Sequence, residues 1–257
     1  MSIGADSVRT PTRRFGTTDR RDAWWLKPLL TAAGLAAFGV YSLAVVATGA
    51  NYHYTGGGAD YLSPFYSPNL DSIFGVSLPF SYAFLVLWVP LGLRATCYYY
   101  RKAYYRSFFL SPPACAVSGP ARGRYRGERA VQNLHRYFFY LTTIVVGFLW
   151  YDAVRSFFFT GSDGSLTFGV GLGSLILLAN VIFLSAFTFG CNSLRHLVGG
   201  RLDCLSCSRR RAKAWHGVTL LNVRHGQWAW ISLASVALAD LYVRLAASGV
   251  LHDPRIF

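Results

Sequence analysis

Charged residues are scarce in this sequence, because Asp, Glu, Lys and Arg together make up only 14% of its 257 residues. A soluble globular domain carries roughly 25% charged residues, so the composition argues against a protein surrounded by water. The long apolar runs also lack the polar positions that recur every few residues in the helices and strands of a soluble core. Because these runs approach the ~20 residues that cross ~30 Å of hydrocarbon, the sequence predicts an integral membrane protein.

Two further classes are excluded by features that are missing. There are only five cysteines, an odd number, and none lies in the segments that we assign to the outer side. This pattern argues against a secreted disulfide scaffold. The net charge is +14, but the basic residues flank the apolar runs and form no separate basic domain. No nucleic-acid partner is therefore predicted.

The apolar runs predict an all-α integral membrane protein with a bundle of five transmembrane helices in residues 24–257. The preceding residues 1–23 are rich in Arg, Thr and Ser, which predicts a disordered, basic cytoplasmic tail. A signal peptide is the alternative for the first run, but a signal core is usually only ~7–15 residues long. The five predicted spans cover residues 29–48, 78–100, 134–159, 168–197 and 223–247.

The distribution of Lys and Arg predicts the orientation. Six of them precede the first span, seven lie in residues 101–129 and seven in residues 195–224, whereas the two loops on the other side hold none. An excess of Lys and Arg in short loops marks the cytoplasmic side. We therefore predict a cytoplasmic amino terminus and an outer carboxyl terminus.

Cysteine and histidine converge on the cytoplasmic side of this topology. Any one of these residues alone is better explained as a small buried hydrophobe or as a partner of a neighbouring helix. Residues with unrelated packing roles would not all lie in one layer, so the set as a whole predicts a functional site. Its members are Cys97, Cys115, Cys191, Cys204, Cys207, His135, His196, His216 and His225.

Three metal centres compete for these ligands. A b-type haem needs two histidines on facing helices, which His135 with His225 or His196 could supply. A zinc site would use the C-x-x-C segment with one further ligand to join the loops. Its candidate ligands are Cys204, Cys207 and Cys115.

The third possibility is a [2Fe–2S] cluster with Rieske-like ligation by two cysteines and two histidines. Cys97 and Cys191 would bind one iron, and His135 and His225 the other. The usual local spacing of Cys-x-His followed by Cys-x-x-His is missing. This assignment therefore depends on the convergence of the four residues alone.

Charged pairs occur towards the outer ends of two spans. Asp152 with Arg155, and Asp240 with Arg244, have three- and four-residue spacing. Each pair could form along its own helix or between the two helices. We favour this structural pairing over a proton path.

Five long segments of the sequence resemble the cytochrome b-type membrane anchor of an actinobacterial succinate dehydrogenase, which is respiratory complex II. The resemblance extends from about the second span to the end of the fifth. The segments are RATCYYYRKAYYRSFF, PPACAV, QNLHRYFFYL, GCNSLRHLVGGRLDCLSC and WAWISLASVALADLYVRL.

This resemblance implies a multi-pass protein of the bacterial cell membrane with two partners, a flavoprotein that oxidises succinate and an iron–sulfur subunit on the cytoplasmic face. Electrons would then reduce a membrane quinone, usually menaquinone. Better-known five-helix anchors hold two haems with four histidine ligands across the bilayer. This sequence has no outer histidine pair within its helices, so we expect a single centre on the inner side.

We therefore predict a membrane anchor of succinate:quinone oxidoreductase that passes electrons through an inner metal centre to quinone. The ligands would be Cys97, Cys191, His135 and His225, with His196 in reserve, and a Rieske-like [2Fe–2S] cluster is favoured over a single haem b. The quinone-binding candidates are Arg94, Tyr98 and Arg136.

Two alternatives to this function stay open. The first is a cofactor-free anchor that only docks a soluble dehydrogenase. The second, less favoured, is a transporter, which would need polar residues or broken helices near the bilayer midplane. The first and fourth spans offer only Gly, Ser, Thr and Asn180 there.

Overall fold

The computed structural model describes residues 14–75, 79–119, 128–200, 204 and 207–257, and these residues are mostly helical. Residues 1–13 of the predicted tail lie outside this range, as do Leu78 at the start of the second predicted span and parts of both basic loops. The helices are α1 (Leu26–Thr48), α2 (Leu70–Phe74), α3 (Ala83–Thr96), α4 (Tyr98–Ser107), α5 (Glu128–Arg155), α6 (Leu172–Phe189), α7 (Asn192–Gly199), α8 (Arg209–Val223) and α9 (His225–Ala247). Two antiparallel hairpins pair β1 (His53–Tyr54) with β2 (Tyr61–Leu62) and β3 (Phe158–Thr160) with β4 (Leu166–Phe168).

Four of the described helices are long and apolar enough to cross a membrane. They are α1, α5 from Ala130, α6 and α9, with 18 to 26 residues each. At 1.5 Å per residue, 18 residues span about 27 Å, close to the hydrocarbon thickness. Helix α3 has only 14 residues. The prediction of membrane-spanning helices is confirmed for four segments, and the fifth crossing stays a prediction.

The second and fourth predicted spans are each interrupted at a cysteine. Cys97 separates α3 from α4 with an extended backbone (φ −66°, ψ 135°), and Cys191 separates α6 from α7 in the same way (φ −67°, ψ 143°). The polar groups freed at these breaks are satisfied locally, since Cys97 N–H donates to the Arg94 carbonyl. At the other break the Asn222 side chain donates to the Gly190 carbonyl at 2.8 Å. Satisfied backbone groups make such breaks tolerable inside an apolar bundle.

The described residues group into two compact units. One consists of the described residues up to Ala37 and within Arg101–Arg126, and the other of those within Phe38–Tyr100 and Gly127–Phe257. In the second unit α6 packs against α5 and α9, and α5 also packs against α3. Its apolar core lies among these helices and the hairpin segment, with fully buried Tyr61, Tyr66, Val181 and Val243.

A buried ion pair supports the core beside the β1–β2 hairpin. The predicted pairing of Asp240 with Arg244 is confirmed, with Arg244 Nε 2.8 Å from Asp240 Oδ2. Tyr41 also donates to this carboxylate at 2.6 Å. The predicted pairing of Asp152 with Arg155 is wrong, because Arg155 pairs instead with Asp60 at 3.4 Å. Asp60 is far from Arg155 in the sequence, so spacing along a helix could not predict this contact.

Candidate metal and quinone site

The four predicted ligands meet as two Cys–His pairs. His135 Nε2 lies 3.0 Å from Cys191 Sγ, and His225 Nε2 lies 3.9 Å from Cys97 Sγ. The two pairs are neighbours, since Thr96, the residue before Cys97, lies 2.8 Å from His135, and Gly190, the residue before Cys191, lies against His225. Cys97, Cys191 and His225 are 2%, 4% and 4% exposed. Each thiol contacts an imidazole, whereas we expected both thiols on one iron and both imidazoles on the other.

The backbone around each cysteine explains how the thiols are presented. Each stands immediately before a helix, so that the free N–H groups of the first turn point towards the sulfur. Ser193 N–H lies 3.4 Å from Cys191 Sγ. Cys97 directly precedes the first turn of α4, which begins at Tyr98. Helix N-termini favour a negatively charged thiolate, which is the form that binds metal.

The two imidazoles are held by different means. His135 Nδ1 lies 2.8 Å from the hydroxyl oxygen of Thr96, at the end of α3. The His225 ring stacks on Phe187 at 5.0 Å between centroids, with Tyr99 at its edge at 5.5 Å. Among the described residues, His225 Nδ1 has no hydrogen-bond partner.

Gly190 lets the second pair form. A side-chain carbon at this position would lie 2.6 Å from the Ala186 carbonyl oxygen and 3.3 Å from His225 Nδ1. The 2.6 Å contact is with the last turn of α6 itself, so a side chain here would distort the end of that helix. The 3.3 Å contact leaves little room beside His225, the first residue of α9. Glycine therefore suits both the end of α6 and the close approach of α9.

Of the predicted quinone-binding residues, Arg94 is the best placed. Its guanidinium lies 5.4 Å from the centre of the Phe187 ring, which also stacks on His225. Its Nε lies 3.4 Å from the Tyr100 hydroxyl, and its buried Nη2 finds no hydrogen-bond partner in the described part of the chain. Tyr98 is 51% exposed, and Arg136 is exposed on the turn of α5 that carries His135.

The other Cys and His residues of the predicted layer take no part in the two pairs. His196 is exposed on α7, and His216 is exposed on α8 beside Trp215. Cys204 and Cys207 form a disulfide, which removes their thiols from the zinc hypothesis, and Cys115 is an exposed free thiol. Within the described ranges, no group of three or more His, Cys, Asp or Glu side chains is close enough to hold a metal. The four ligand candidates instead form two separate Cys–His contacts.

Sequence reasoning missed Thr96 and Phe187, which contact the two histidines. Thr96 directly precedes Cys97, but a threonine inside an apolar helix gives no signal of a distant imidazole. Phe187 lies four residues before Cys191 and reads as an ordinary core or lipid-facing side chain. Both were identifiable only once α3, α5, α6 and α9 were placed together.

Comparison with known proteins agrees with the resemblance of the sequence. Residues 26–249 match the family described as actinobacterial succinate dehydrogenase subunit SdhC. A chain of the solved "Mycobacterium smegmatis Sdh1 complex in the apo form" is 40% identical, covers 100% of both chains and superposes with a TM-score of 0.83. The comparison with curated proteins found no match. The chain therefore belongs to the actinobacterial succinate dehydrogenase SdhC family, as a multi-pass membrane subunit of that complex.

Proposed function

We propose that this subunit passes electrons from a cytoplasmic iron–sulfur subunit, through a metal centre held by Cys97, Cys191, His135 and His225, to a membrane quinone. The observation that carries this proposal is the meeting of two Cys–His pairs from four separate segments, with both thiols and His225 buried. A flavoprotein that oxidises succinate would complete the complex. The quinone would be menaquinone, as the family resemblance implies.

The donor set fits a [2Fe–2S] centre of mixed ligation. Two thiols and two imidazoles supply the four protein ligands that such a centre takes. The N–H groups at the start of α4 and α7 would offset the charge of metal-bound thiolates. A centre of this type accepts and releases one electron at a time.

A single haem b fits these residues less well. Each histidine Nε2 faces a thiol, and one face of the His225 ring is covered by Phe187. A haem would need both Nε2 atoms to face one iron from opposite sides of the macrocycle. The two thiols would then have no function in the site.

For the quinone we propose a position beside Arg94, with Tyr98 and Arg136 nearby. A buried guanidinium nitrogen without an acceptor is a donor for a quinone carbonyl oxygen. Arg94 and His225 both contact the Phe187 ring, so a quinone at Arg94 would lie close to the metal ligands.

We also propose five crossings, with the amino terminus in the cytoplasm. The basic segments before α1 and after α4 would lie on one side, so the chain must cross twice between them. Helix α1 is one of these crossings, and α3, extended beyond its break at Cys97 by α4, would be the other. The metal centre would then lie near the cytoplasmic surface.

The first experiment is spectroscopy on the purified complex before and after reduction with dithionite. We expect a low-temperature electron paramagnetic resonance signal with the low average g value of a His-ligated [2Fe–2S] centre. The signal should vanish in the double variant His135→Gln/His225→Gln. The clusters of the iron–sulfur subunit should persist and report assembly. His216→Gln, on exposed α8, is the matched control.

The alternatives give different results. Sharp b-type bands in the reduced optical spectrum would replace the proposed cluster with a haem. Zinc in place of iron would make the site structural, since the same donors also suit zinc. If the purified complex contains neither iron nor zinc at this site and the double variant still reduces quinone fully, the subunit is a cofactor-free anchor that only docks the dehydrogenase.

A further inference from the structure

The hydroxyl oxygen of Thr96 has three hydrogen-bond neighbours, which together determine where its hydrogen lies, and the Leu93 carbonyl oxygen is the farthest of them at 3.3 Å. Thr96 Oγ1 is 2.7 Å from the carbonyl oxygen of Gly92, one turn earlier in α3, and 2.8 Å from His135 Nδ1. A hydroxyl has one hydrogen to donate, and a carbonyl oxygen can only accept. The hydroxyl hydrogen therefore points to Gly92, and the Thr96 oxygen accepts from His135.

This direction assigns the tautomer of His135. The ring must carry its hydrogen on Nδ1, so in the neutral imidazole the lone pair is on Nε2. Nε2 is the nitrogen that faces Cys191 Sγ at 3.0 Å. The hydrogen bonds thus form one chain of consistent direction, from the Cys191 thiol through His135 and Thr96 to the Gly92 carbonyl.

His225 lacks such an arrangement. Its Nδ1 has no hydrogen-bond partner among the described residues, and its ring is held by aromatic contacts with Phe187 and Tyr99. The hydrogen bond from an imidazole to Thr96 is therefore specific to one of the two pairs.

We propose that Thr96 is a positioning residue that orients the His135 ring and presents Nε2 to the metal. This inference depends on the metal centre proposed above and adds to it a residue that does not itself touch the metal. Outer hydrogen bonds of this kind orient metal-binding imidazoles, and their loss typically costs about 10–100-fold in metal affinity or activity.

The test compares three variants in the purified complex with its partner subunits. Thr96→Val removes the hydroxyl and keeps the shape, and Thr96→Ser keeps the hydroxyl. Thr143→Val is the control, because Thr143 makes the same bond to a carbonyl one turn earlier, Phe139 at 2.9 Å, on the helix that carries His135. The readouts are iron content, the rate of iron loss to a chelator and the nitrogen hyperfine couplings of the reduced centre.

We expect Thr96→Val to lose iron about ten times faster or more and to change the coupling of one nitrogen. Thr96→Ser and Thr143→Val should match the wild type. If Thr96→Val does not assemble, Thr96→Ala provides the same comparison with a smaller side chain. If the wild type contains the centre and every Thr96 variant has the same centre with unchanged properties, this inference alone is overturned. A wild-type subunit without iron would overturn the proposed metal centre and this inference with it.

Discussion

His53 and Asp60 face each other at the β1–β2 hairpin, where His53 Nε2 lies 2.7 Å from Asp60 Oδ1. Arg155 adds a second cation at 3.4 Å from the same carboxylate. The hydrogen bond to Asp60 raises the pKa of His53 above 6.5, and the same bond lowers the pKa of Asp60 below 3.8. The pair is about one-third exposed, so its contribution to stability is small, within roughly 0–1 kcal/mol.

The signs of these shifts predict a pH dependence. A raised histidine pKa stabilises the fold fully below pH 6.5, and this contribution is lost as the pH rises through the folded pKa. The contribution of Asp60 is present above pH 3.8 and is lost as the pH falls through its lowered pKa. As the pH is raised from 6 to 8, we therefore expect the thermal unfolding midpoint of the wild-type complex to decrease. In His53→Gln the decrease should be smaller. His252→Gln, an exposed histidine near the carboxyl terminus, should behave as the wild type, and an unaltered slope in His53→Gln would contradict the assignment.

Between elements, the approach of α3 to α5 decides whether Thr96 reaches His135. Gly92 is the residue that permits this approach, since a side-chain carbon there would lie 2.0 Å from the Phe138 ring. That separation is far below van der Waals contact, so either the Phe138 ring or the helix that carries it must move to admit a side chain. Gly92 is also the acceptor of the Thr96 hydroxyl.

We predict that Gly92→Ala separates α3 from α5 and weakens the site. Overpacking of this kind costs about 1–3 kcal/mol, and the metal centre should be lost more readily than in the wild type. Gly147→Ala is the matched control on α5, because its added carbon would meet nothing within 4 Å. The measurements are the thermal unfolding midpoint and the iron content. Equal behaviour of the two variants would show that the close approach has no influence on the site.

Across the whole molecule, the four long helices differ in how much of their most apolar window is buried within the chain, from 50% in α9 and 44% in α6 to 22% in α5. Only 6% of the residues in the most apolar window of α1 are buried within the chain. Lipid or partner subunits must therefore cover most of this helix. The orientation that we propose for the bundle is inferred from the asymmetric distribution of Lys and Arg.

The exposed Cys115 tests that orientation. Of the five cysteines, Cys97 and Cys191 are buried and Cys204 and Cys207 are bonded to each other. We expect a membrane-impermeant maleimide to label Cys115 in inverted membrane vesicles and not in intact spheroplasts. Cys115→Ala should abolish the labelling. Leu166→Cys, at an exposed position of β4, should show the reverse accessibility in the Cys115→Ala background. Labelling of Cys115 in intact spheroplasts would reverse the proposed topology.

At this same scale, several features were predictable from the sequence. The family was identifiable because long segments around Cys97, His135 and Cys191 are specific to it, and the comparisons confirm it. The first and fifth predicted spans agree with α1 and α9 to within a few residues. The breaks at Cys97 and Cys191 were not predicted, because neither lies at a proline and the polar groups that stabilise them come partly from distant residues such as Asn222.

The sequence by itself determined the membrane class and the positions of the long helices, because apolar length and charge are properties of the chain alone. It also predicted that the thiols and imidazoles share one layer, and the structure brings four of them together. Only the tertiary structure decided which thiol faces which imidazole, since the paired residues are 56 and 128 positions apart. Their contact depends on two helix breaks and on the close approach of α3 to α5. These features arise from packing between helices, and no periodicity within one helix encodes them.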